Sequence, residues 1–215
     1  MTRTTARTSA RTVVRKLPRP NALTVLMAGA ALVAALASPK AHAAEVVGVK
    51  LDDTAKVAGQ SLVLSGAGLR TKVIKLYVLG TYFNKKETTQ AGVLGNSAAK
   101  RFEIVMLRDF SGDEFGVAFL AGINKNLDKD EKAKLFTPLA KLGEAFERIG
   151  GLKKGDVVIG DWIPGQGTVM TLNGKPVTEP FSDPLFYNAV LRIWYGDKPA
   201  EVSLKKSLLG EENNY

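Results

Sequence analysis

Apolar residues recur with a period of two over several stretches of this chain. At Ser111 the period becomes helical, after Gly150 it returns to two, and near Ser182 it turns helical again. That succession limits the fold more than any other feature. RFEIVMLRDF (101–110) sets Phe102, Ile104 and Met106 against Arg101, Glu103 and Val105, and KVIKLYVLGTYF (72–83) is rich in β-branched and aromatic residues. Both read as strands. EVVGVKL (45–51) and QSLVLSGAG (60–68) alternate over shorter runs, and DDTAKVAG between them suggests the turn of a first hairpin. GDVVIGDWIP (155–164) and GTVMTLN (167–173) are strands again, and Asn173-Gly174 signals a hairpin.

The helical segments carry their own start signals. SGDE (111–114) has the form of a capping box, and Phe115, Ala118, Phe119, Gly122 and Ile123 then share one face. Asp128 and Glu131 repeat that signal before a stripe of Leu135, Leu139, Leu142, Phe146 and Ile149, which Pro138 should kink or divide after Phe136. Ser182 or Asp183 caps a third helix with Pro184 in its first turn, and a short helix from Pro199 to Leu209 follows. Strands and helices segregated in this way predict an α+β fold, with helices on one face of a largely antiparallel sheet.

Residues 1–43 read as a secretory signal peptide rather than as part of this fold. Arg3, Arg7, Arg11, Arg15, Lys16 and Arg19 precede the 16-residue apolar run ALTVLMAGAALVAALA (22–37), and AHA (41–43) offers a cleavage site after Ala43. The leader has no adjacent arginine pair, which points to the Sec route; an uncleaved anchor is the alternative. The expected mature chain, 44–215, is one domain placed in the periplasm, without stable membrane insertion.

Cleavage would also change the electrostatics. The whole chain has a formal net charge of +9, but residues 1–43 hold seven of its 30 basic side chains, leaving 23 against 21 acids. Nucleic acid is therefore not an expected partner. The only histidine, His42, lies in the leader and the chain has no cysteine. Ser-His-Asp and Cys-His nucleophilic sites are excluded from the mature chain, as are zinc sites of thiolate or imidazole. No metal or cofactor is expected.

The GAG at 66–68 lacks the third glycine of a dinucleotide site and reads as a tight turn. Asp109, Asp113 and Glu114 flank a helix start, with Glu114 assigned to the capping box. Arg70, after the GAG, is either an ordinary arginine paired with an acid or lying on the surface, or the polar end of an apolar pocket.

GAGLRTKVIKLYVLGTYF, RDFSGDEFGVAF and LFYNAVLRIWYGDKP, in that order and spacing, resemble the chalcone isomerase family, in particular a bacterial secreted chalcone isomerase-like branch. The resemblance spans 45–209. It implies an open-faced β-sandwich, a large antiparallel sheet covered by a layer of helices, with a ligand cleft between them. In the plant enzymes, as the resemblance implies, an arginine after the GAG holds an anionic oxygen. A threonine on the next strand and a tyrosine in the S-G-x-E-Y segment organise a water near the carbonyl, and an asparagine and a threonine hold the far phenol.

Here Arg70 stands at the arginine position, but Tyr77, Phe115, Gly122 and Ile193 occupy the other four. Carbonyl polarisation by the same groups is lost. The guanidinium that remains suits a carboxylate. The family's non-catalytic branch implies a small amphipathic anion such as a fatty acid, held by Arg70 with Tyr77 and Phe115 lining the cleft. Two alternatives stay open: an isomerase or lyase on another substrate, requiring an ionisable group beside Arg70, and a structural or interaction protein with a vestigial cleft. A monomer is expected.

Overall fold

The computed structural model describes residues 44–211, so the expected signal peptide lies outside the described residues. The chain first forms a small antiparallel hairpin, β1 (Ala44–Val46) with β2 (Val49–Leu51). A seven-stranded antiparallel sheet then builds from β3 (Thr54–Val57), β4 (Gln60–Thr71), β5 (Lys75–Phe83), β6 (Lys100–Met106), β9 (Val157–Ile163), β10 (Gly167–Leu172) and β11 (Lys175–Pro176), in the order β11-β10-β9-β6-β5-β4-β3. A further pair, β7 (Phe110–Ser111) and β8 (Gly151–Leu152), brackets the helices inserted between β6 and β9.

The five helices of the described residues are α1 (Gln90–Gly95), α2 (Gly112–Asn124), α3 (Lys129–Ile149), α4 (Pro184–Tyr195) and α5 (Val202–Leu208). One face of the sheet packs against this layer through Leu79, Phe83, Phe102, Ile104, Met106, Val158 and Met170, with Phe115, Phe119, Phe146, Phe186 and Trp194 from the helices. The opposite face is partly covered. There Leu51 from the first hairpin joins Leu69 and Val78, and Tyr82 joins Leu62 and Val57. This is the expected α+β open-faced sandwich, and its core is closed by residues between Val46 and Leu208.

Local chemistry accounts for most of these elements. β6 alternates buried and half-buried along its whole length, with Phe102, Ile104 and Met106 inward. Asn173 and Gly174, with φ of 50° and 77°, supply the left-handed pair a tight hairpin needs. Asp128 and Glu131 form a reciprocal capping box on α3, and the Asp183 carboxylate accepts from Leu185 N–H at the start of α4.

Several expectations are corrected. DDTAKVAG is not simply a turn: it contains β3, which returns through Ala58-Gly59 into β4. The GAG is no turn either, since it lies inside β4 with neither Gly66 nor Gly68 at positive φ. Its first glycine instead makes room for α5, because a Cβ at Gly66 would stand 2.1 Å from the Leu208 carbonyl oxygen. α3 runs unbroken through Pro138. The carbonyl that loses its N–H partner there belongs to Lys134, at an exposed position where water can satisfy it. The capping box on α2 is only half formed: Ser111 Oγ accepts from Glu114 N–H, but the Glu114 carboxylate turns away to Arg108. The last helix is shorter than Pro199–Leu209.

Candidate ligand-binding site

Strand register decides where the candidate residues point. Arg70 pairs with Tyr77 across β4 and β5, and Tyr77 pairs with Met106 of β6. Side chains alternate across a strand. Leu69 and Val78 belong to the opposite face, so Arg70 and Tyr77 project toward the helices.

Arg70 meets a carboxylate of the chain itself. Its Nη1 donates to Glu201 Oε2 at 2.8 Å, with side-chain exposures of only 18% and 19%. The same carboxylate accepts from Thr71 N–H at 2.8 Å, from Thr71 Oγ at 2.8 Å and from Ser203 Oγ at 2.7 Å. Four donors thus converge on one carboxylate, two on each oxygen. Burial alone would push the Glu201 carboxyl up, but the Thr71 N–H, the Ser203 and Thr71 hydroxyls and the Arg70 guanidinium outweigh it and hold the group below its ordinary value of 4.5. Arg70 also donates to the Thr71 carbonyl.

Beneath this pair the interior is packed with aromatic rings. The Tyr77 hydroxyl accepts from Trp194 Nε1 at 2.9 Å. Trp194 lies 6.1 Å from Phe119 and 5.3 Å from Phe102, centroid to centroid. Phe119 lies 5.6 Å from Phe115, which also meets Phe110 and Phe146 edge-on. The structure therefore brings Arg70 and Tyr77 together, while Phe115 reaches them through Phe119 and Trp194. Gly122 and Ile193, the other two substituted positions, face each other: a Cβ on Gly122 would lie 3.0 Å from the Ile193 side chain.

Burial pushes the Tyr77 phenol up, opposed in smaller measure by the Trp194 hydrogen bond and the Arg70 charge. It stays protonated at neutral pH and is a poor general base. Among the described residues no cluster of acids, histidines and cysteines could hold a metal ion. What the arrangement does is hold a carboxylate, that of Glu201.

Glu201, Thr71 and Ser203 are the site residues that the sequence reading missed. Thr71 could have been noticed as the neighbour of Arg70. Nothing local marks Glu201, which lies 131 residues further along the chain.

The comparisons agree with this architecture. The chalcone isomerase-like family matches residues 43–210. A crystal structure of a fatty-acid-binding protein from Arabidopsis thaliana is similar in fold, with a TM-score of 0.60 and 14% sequence identity over 80% of this chain and 94% of that one. No curated protein matches the chain. With its sheet, its helical layer and the arginine after the GAG in place, this chain belongs to the chalcone isomerase-like family.

Proposed function

We propose that this protein is a non-catalytic binder of a small amphipathic carboxylate of the fatty-acid class, acting in the periplasm after export, as in a secreted branch of its family. One observation carries the reading: Arg70 and Thr71 direct three donors from the sheet onto a single carboxylate. Glu201 is the resident occupant, and a ligand carboxylate would replace it as α5 shifts. The plant structure of similar fold, described as a fatty-acid-binding protein, supports the ligand class.

A second reading is favoured by a different observation. The aromatic packing from Tyr77 to Phe115 leaves the inter-layer space filled by the chain's own rings. On that reading Arg70–Glu201 is a structural clasp fastening α5 to the sheet, and the cleft is vestigial.

Titration with a long-chain fatty acid, followed by calorimetry, separates the two. Glu201→Gln removes the competing charge and should tighten binding roughly tenfold, the loss of one charge-assisted hydrogen bond. Arg70→Ala should weaken binding by about 1.5–3 kcal/mol, and Arg70→Lys should recover only part of it. The methyl ester should bind weakly and be indifferent to all three changes. If Glu201→Gln and Arg70→Ala leave affinity unchanged while both lower the melting temperature, the clasp reading stands.

A further inference from the structure

Six large apolar side chains stand exposed among the described residues, two of them at the tip of one hairpin of the sheet and a third on the helix beside it. Val73 is 94% exposed and Ile74 55%, at the tip of the β4–β5 hairpin, and Val202 is 62% exposed at the start of α5. The hydrogen bonds from Thr71 to Glu201 hold the tip beside α5. Lys72 and Lys75 flank the apolar pair, both exposed, and the stretch from Arg70 to Tyr77 contains no acid. The neighbouring Glu201 is turned inward onto Arg70. Folding does not account for an almost fully exposed valine followed by a half-exposed isoleucine.

We infer that this tip docks the protein onto an anionic lipid surface. An apolar pair projecting between two lysines fits an interface in depth: Val73 and Ile74 reach the acyl boundary while the ammonium groups lie among headgroup phosphates. A two-residue tip is far too small for a stable protein interface of about 800 Å² per partner. A second copy would bring lysines against lysines. Since Arg70 lies two residues before Lys72, docking would bring the Arg70–Glu201 pair close to the bilayer. The inference needs no bound ligand and stands apart from the fatty-acid reading.

The test uses residues 44–215, which contain the whole core described above, and vesicles of phosphatidylethanolamine with phosphatidylglycerol. Wild type should co-sediment with them, and not with phosphatidylcholine vesicles. Lys72→Gln with Lys75→Gln should raise the lipid concentration for half-maximal binding by about 25-fold, roughly fivefold per lysine. Val73→Asp with Ile74→Asp should cost at least about tenfold. Because the chain has no cysteine, a single Val73→Cys carries an environment-sensitive fluorophore cleanly. Its emission should shift to the blue on the anionic vesicles, whereas a probe at Phe136→Cys, on the exposed side of α3, should not respond. Equal responses at both positions, no response at 73, or a blue shift at 73 driven by protein concentration without lipid would each overturn the proposal, the last by showing that a second copy covers the tip. Fatty-acid affinity is measured separately, so either idea can fail alone.

Discussion

Lys100 is a charge the fold has enclosed. Its residue is 3% exposed at the start of β6, where Asn188 Oδ1 accepts from its ammonium at 3.2 Å and the Tyr187 ring lies 5.4 Å away. Burial pulls its pKa down from 10.5 to about 8. The unfolded chain therefore binds the proton more tightly than the native one, and stability rises with pH between those two values. Lys100→Met should stabilise the protein by about 1–3 kcal/mol at neutral pH. The gain should shrink as pH climbs through the folded pKa toward the unfolded one, which urea melts at several pH values would show; a loss of stability at neutral pH would contradict it. Residue-scale reading of the sequence placed Lys100 nowhere in particular, because its burial follows from the α4 residues laid over it. Arg70 stands out in the sequence as a charge beside core residues, and of its two readings the structure shows the arginine paired with an acid. Which acid it meets is not readable locally, because Glu201 lies 131 residues away.

At the scale of elements, α5 and β4 depend on one another. The first glycine of the GAG has its role in that contact: a methyl group at Gly66 would collide with the Leu208 carbonyl carbon and oxygen, both backbone atoms. Gly66→Ala should destabilise by about 1–3 kcal/mol through overpacking. The amides of α5 should exchange faster with solvent while those of β9 and β10 keep their protection. Uniform acceleration across the sheet, or none, would show that the contact is not local to α5. Several elements with local signals were legible, although α1, capped by Thr89, was not. Asp128 with Glu131, Asp183 with Pro184, and Asn173 with Gly174 each act within a few residues. Where an element depended on a distant neighbour, the reading slipped. GAG looked like a turn because glycines usually mark one, and nothing nearby announces that a helix some 140 residues later needs the space. Pro138 does not divide its helix, because the proline sits where the freed carbonyl can meet water.

For the whole molecule, belonging to the chalcone isomerase-like family does not by itself imply the plant chemistry. The Phe115 ring has no hydroxyl and packs edge-on against Phe146. Ile193 faces Gly122, and the Tyr77 phenol is kept neutral by burial. No accelerated cyclisation of a chalcone is expected, followed by the loss of its visible absorbance; a rate above the spontaneous one that vanishes in Arg70→Ala would reverse that conclusion. Local order along the chain suffices for the α+β class, the strand and helix periods, most of the caps, the hairpin at Asn173-Gly174 and an arginine set beside core residues. These are properties of residues within a few positions of one another, where geometry repeats with the chain. Only the tertiary structure decided that Arg70 meets Glu201, that Thr71 and Ser203 complete the carboxylate's partners, and that Trp194 and Phe119 stand between Tyr77 and Phe115. The Arg70–Glu201 and Tyr77–Trp194 contacts join residues more than a hundred positions apart, and Phe119 meets Trp194 across several dozen. They exist because helices fold back over a sheet whose register no local pattern encodes.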